Sequence, residues 1–139
     1  MSDDVRFELL SVHLESDCFG RVAVPLDAGD DIPFELPEGA LLTVALTFRL
    51  ERAVDGLVFV DAREVGSCAL PVTETPLGSF RAGGPYEVVL PAEKLPAGRL
   101  ARGTYTVTGT FRDGHGNELA RETHRFRLTR QERPLAHAC

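Results

Sequence analysis

Four histidines, three cysteines and two acid-bearing turns are the residues of this sequence whose types suit chemistry. His13, His115, His124 and His137 are scattered, with neither HxH nor HExxH spacing, so they do not converge as metal ligands. Cys18, Cys68 and Cys139 are odd in number and lack CxxC spacing, which argues against a zinc knuckle or a disulfide framework. They fit a reducing, cytoplasmic setting. Cys139 is the last residue and lacks the residues that follow the cysteine of a prenylation box. Asp113-Gly-His-Gly-Asn117 alternates polar residues with glycine like a calcium loop, yet no distal bidentate Glu and no flanking helices accompany it. Asp30-Asp31 sits among turn residues, where carboxylates satisfy backbone N–H groups more often than they hydrolyse anything. Neither a GxSxG elbow nor a glycine-rich phosphate loop is present. His124 alternates with Phe126 on the last expected strand and reads as a sandwich residue rather than an acid–base group. No catalytic residue, metal ion or cofactor is therefore expected, and binding is the favoured class of function.

The elements that would position these residues are strands. "LLTVALTFRL" places Leu42, Val44, Leu46, Phe48 and Leu50 on one face. The runs at 6–15, 21–26, 56–65, 86–90, 104–111 and 121–129 behave likewise. Turn residues separate them, at 28–31, 37–39, 55–56, 83–85 and 113–117. Nine prolines and thirteen glycines leave room for one helical turn only, at Pro91–Leu95. Seven to nine strands at this spacing predict an all-β sandwich of two antiparallel sheets with Greek-key connections. The 139 residues read as one domain, ordered over 5–131 with a tail at 132–139. No apolar run approaches transmembrane length. A net charge of −6 argues against a general nucleic-acid binder, which needs clustered positive charge. Residues 1–40 carry ten acids against two arginines, an asymmetry that fits a solvated surface or a basic partner. One Lys beside fourteen Arg points to a GC-rich, bacterial genome.

Before the strand at 104–111 the chain makes an elaborate approach, "LPAGRLARGTY". Greek-key sandwiches place a Tyr near the start of a late strand and bond its hydroxyl back to the preceding corner. Gly103 and Tyr105 fit that role, with Gly103 permitting close backbone approach.

The same stretch, "LPAGRLARGTYTVTGTFRDG", resembles the Pro-x-Gly-x-Leu-Ala-Arg-Gly-x-Tyr segment, strand and acidic turn of Rho GDP-dissociation inhibitors. "EGALLTVALTFRLERAVDGLVFV" and "PLGSFRAGGPYEVVLP" resemble two further segments of that family in the same order, so the likeness covers residues 38–130. It implies an immunoglobulin-like sandwich whose sheets splay to admit a geranylgeranyl chain carried by a Rho-type GTPase. Phe48, Val107 and Phe126 match pocket-lining positions, Leu100 and Phe80 match residues near the pocket, and Leu14 matches one on the first strand. Each also fits a plain sandwich core. Glu93 and Asp113 lie where the family places acids facing the basic tail of its cargo, although "PAEKLP" and "RDGHGN" carry only one acid each. The family's regulatory arm precedes the sandwich, whereas the first strand here is expected near Val5, so inhibition of GDP dissociation is not implied. The partners implied are a prenylated small GTPase, an isoprenoid or another lipid, with oligomeric state left open. The alternative is a structural or protein-interaction sandwich whose pocket has closed.

Overall fold

A computed structural model describes residues 7–24, 26 and 33–130 of the chain. The expected strand start at Val5, the turn at 28–31, His137, Cys139 and the tail at 132–139 lie outside the described residues.

Alternating apolar residues fold as strands because period two sends every second side chain to the same face. The described residues form β1 (Phe7–Ser16), β2 (Gly20–Ala23), β3 (Phe34–Pro37), β4 (Leu41–Leu50), β5 (Val54–Val65), β6 (Cys68–Ala69), β7 (Thr73–Phe80), β8 (Gly83–Val89), β9 (Glu93–Lys94), β10 (Gly103–Arg112) and β11 (Glu118–Thr129). One sheet runs β2-β1-β4-β8, with β9 paired to β4. The other runs β3-β11-β10-β5-β6, with β7 also paired to β5. The chain changes sheets between β2 and β3, β3 and β4, β4 and β5, β7 and β8, and β9 and β10, which makes an immunoglobulin-like sandwich of Greek-key type.

Every long strand expected from periodicity is present. The departures are short or interrupted strands. β3 runs parallel to β11, so the sheets are not wholly antiparallel. β7 contains Pro76 and Gly78, which break its pattern, and it is tolerated because among the described residues it pairs on one side only, with β5. The helical turn expected at Pro91–Leu95 is instead β9, whose Lys94 and Glu93 lie opposite Leu41 and Leu42. Leu95 is 1 % exposed and its N–H bonds to the Ala40 carbonyl at 2.8 Å, so burial and sheet pairing override local helix preference there. The only helical turn among the described residues is a short 3₁₀ turn at Arg99–Ala101. Cys68 is free and exposed.

The approach to β10 is a corner with named fastenings. Tyr105 Oη donates to the Ala101 carbonyl at 2.6 Å, and its ring stacks on Phe126 at 4.9 Å. Glu38 Oε1 accepts from the Gly98 N–H at 2.8 Å and from Arg102 Nε at 3.1 Å. Gly103, at φ 147°, takes a backbone conformation that side chains with a Cβ rarely adopt.

Between the sheets the buried side chains form one contiguous cluster. One end is aromatic. Phe48, fully buried, stacks on Phe7 at 5.1 Å and meets Phe80 edge-on at 5.2 Å, and Phe111 lies 5.0 Å from Phe59. The Phe59 ring lies across Gly109, where an added Cβ would approach it to 2.8 Å.

Two stability effects follow. Tyr105→Phe should lower the unfolding free energy by about 1 kcal/mol through loss of the corner hydrogen bond. Gly109→Val should cost about 1–3 kcal/mol, because the Phe59 ring must leave its seat. Urea denaturation measures both, and a wild-type midpoint for either variant would contradict the corresponding packing role.

Candidate functional site

Between the two sheets lies a cavity of about 70 Å³. Its walls come from alternating inward positions of both sheets. β1 supplies Leu9, Val12 and Leu14, β4 supplies Leu46, β10 supplies Val107 and β11 supplies Phe126. Leu14, Val107 and Phe126, singled out in the sequence, are thus brought together on one space. Phe48 and Phe80 sit in the aromatic cluster beside it and do not line it. Leu100 lies elsewhere, because it sits on the 3₁₀ turn and is 98 % exposed.

The cavity wall is not wholly apolar. Asp61, Arg63, Glu122 and His124 also line it. Period two puts them there. Asp61 and Arg63 share the phase of Phe59 on β5, and Glu122 and His124 share the phase of Phe126 on β11. Gly109 and Val107 of β10 stand between them, with Gly109 opposite Asp61 and Glu122, and Val107 opposite Arg63 and His124. The in-phase position of His124 was visible in the sequence. Asp61, Arg63 and Glu122 were missed, although their phase relative to Phe59 and Phe126 carried the same information.

Arg63 is held from two directions. Its Nε and Nη2 donate to Asp61 at 3.0 Å each, and its Nη1 and Nη2 donate to Glu93 at 2.6 and 2.9 Å. Burial opposes its charge, but the hydrogen bonds to Glu93 and Asp61 outweigh burial and raise the guanidinium pKa. Its guanidinium carbon also lies 6.0 Å from the centre of the Phe126 ring. Since Glu93 belongs to β9, which pairs with β4, this contact bridges the two sheets.

Glu122 and His124 are treated differently by their surroundings. Burial pushes the Glu122 carboxyl up. Burial lowers His124, with Asp61 opposing and Arg63 assisting. Both groups are driven toward their neutral forms. Glu122 Oε2 and His124 Nδ1 are buried atoms without a hydrogen-bond partner, and they lie 3.9 Å apart.

The two acids expected to face a basic tail are not brought together. Both oxygens of Glu93 are engaged by Arg63. Asp113 follows the end of β10 and closes its own turn, with Oδ1 accepting from the His115 and Asn117 N–H groups at 2.9 Å each. Those bonds, the Asn117 N–H foremost, hold its carboxyl below the usual range. The turn therefore uses its carboxylate internally, and no cluster of three metal-binding side chains occurs among the described residues.

Comparison with known proteins gives a consistent assignment. The family model described as RHO protein GDP dissociation inhibitor matches residues 2–131. Rho GDP-dissociation inhibitor 1 of Homo sapiens is 32% identical over 85 residues, which cover 58% of this chain and 40% of that protein. The Bos taurus protein of the same name matches with the same identity and coverage. This chain thus matches less than half the length of those relatives. Among solved structures, the C-terminal domain of wzt superposes with a TM-score of 0.59 at 14% identity, over 91% of this chain and 75% of that one. At that identity the likeness concerns the fold alone. With the family model spanning both sheets, the chain belongs to the Rho GDP-dissociation inhibitor family.

Proposed function

We propose that this chain is a non-catalytic binding protein that takes a prenyl group, or a lipid of similar shape, between its sheets. The observation that carries this reading is the cavity walled by Leu14, Leu46, Val107 and Phe126 from facing sheets in a member of this family. The driving force is burial. At roughly 0.8 kcal/mol per methylene, an isoprenoid of about twenty carbons supplies on the order of 10 kcal/mol before ordering costs. A prenylated small GTPase is the corresponding protein partner. Drawing such a partner from a bilayer needs protein–protein contacts as well, because the bilayer also shelters the chain.

Size is the counter-argument. A cavity of about 70 Å³ is well below the ~300 Å³ or more of ordinary ligand sites. The lipid reading therefore requires the sheets to part. β1 and β11 face each other across the sandwich, and each is only partly paired on its outer side among the described residues. Separation there breaks side-chain packing rather than ladder hydrogen bonds. The same small volume favours, as second reading, a structural or protein-interaction sandwich with the pocket closed.

Titration with a fluorescent geranylgeranylated peptide separates the two. Saturable binding is expected, with Phe126→Asp abolishing it and Val107→Phe, which fills the cavity without adding charge, weakening it at least tenfold. Absence of saturation up to high micromolar peptide establishes the closed sandwich instead.

A further inference from the structure

The unexplained feature of the cavity is its polar wall. An interior built only to shelter a hydrocarbon gains nothing from unpaired polar atoms, since each forfeits its bond to water without receiving another. Yet Glu122 Oε2 and His124 Nδ1 are buried, unpartnered and adjacent, on side chains that line the same space as Leu14 and Val107. Their separation of 3.9 Å is too long for a direct hydrogen bond. It leaves both atoms available to a third group placed between them.

We propose that the cavity's occupant is an apolar chain ending in a neutral hydroxyl, of the isoprenoid- or fatty-alcohol class, and that Glu122 and His124 together receive that hydroxyl. This rests on the lipid reading above and specifies a free lipid alcohol as the ligand, since a prenyl group linked to a protein carries no hydroxyl. A hydroxyl both donates and accepts, so it can serve two neighbouring side-chain atoms at once. The charges around the site exclude the obvious rival. β5 contributes Asp61 and Arg63, β9 contributes Glu93, and β11 contributes Glu122 and His124. The facing wall, from β1 and β4, is apolar. Arg63 is already engaged by both Asp61 and Glu93, so its one positive charge stands against two carboxylates. Among the described residues lining the cavity, a carboxylate- or phosphate-ended chain finds no free cation, and it meets Asp61 instead. Burial disfavours the charged forms of both Glu122 and His124, so their surroundings favour a neutral end group over an ionic one.

Displacement of a bound geranylgeranyl peptide probe by farnesol, by the hydrocarbon farnesene and by farnesoic acid tests the assignment. Farnesol is expected to displace the probe about tenfold better than either of the others, the difference that one well-made hydrogen bond confers. In the double variant Glu122→Leu, His124→Leu, farnesol should fall to the level of farnesene while farnesene holds or improves. A melting curve confirms that this variant folds; should it not, the farnesol-to-farnesene ratio on the unaltered chain decides alone. Equal displacement by farnesol and farnesene overturns the hydroxyl assignment and leaves the lipid reading standing, with water as the partner of the two atoms. A preference that persists in the double variant also overturns it. Failure of the probe itself to bind removes both readings.

Discussion

Arg63 is the residue around which the inner space is arranged. A guanidinium offers five donors in a planar fork, which suits two carboxylates approaching from different directions. Here one carboxylate, Asp61, comes from its own strand and the other, Glu93, from the facing sheet. The pairing lets a charge remain between two apolar sheets and fastens those sheets together at the same point. Removing either carboxylate would leave the cation under-compensated, a costlier state than never having placed it there. The bridge also continues sideways. Arg63 lies over Phe126, Phe126 stacks on Tyr105, and Tyr105 bonds to the Ala101 carbonyl. A single column of contacts therefore runs from the inter-sheet bridge to the corner that launches β10.

The interior accordingly has two regions with different mechanical character. At the Phe48 end, aromatic rings interlock from both sheets, and only Phe59 and Phe111 of that cluster reach the cavity wall. In the middle, aliphatic side chains face a short polar stripe, and the two surfaces do not interdigitate fully. Polar atoms cannot pack as closely against leucines as rings pack against rings without forfeiting their solvation. The cavity lies where that mismatch occurs. On the proposed lipid reading, any parting of the sheets falls in this middle region rather than at the aromatic end.

Much of this was legible in the sequence, and what was not has identifiable physical causes. The long strands β1, β4, β10 and β11 announced themselves because alternation over eight or more residues admits few other readings. Tyr105 and Gly103 announced the corner by type and order. β7 stayed hidden because Pro76 and Gly78 interrupt its pattern, and β3 because four residues parallel to a distant strand leave no local trace. Leu100 was singled out by its match to a position near the family's pocket, whereas here it sits on the 3₁₀ turn and is almost fully exposed. The polar stripe was overlooked for a different reason. Charged residues on an alternating strand are ordinarily assigned to the outer face, and only the phase of Phe59 and Phe126 shows that Asp61, Arg63 and Glu122 turn inward. Local sequence reports periodicity well; it does not report which partner makes an inward charge tolerable.

Glu38 carries a consequence of another sort. It holds both the Gly98 amide and the Arg102 side chain, from a turn some sixty residues upstream in the chain. The ornate approach to β10 is therefore not a self-contained cassette. Lifted into another sandwich, residues 95–105 would bring the tyrosine and its glycines but leave their clasp behind. The corner is a pair of turns, 37–39 with 98–102, and a change at Glu38 reaches the second turn through these two hydrogen bonds.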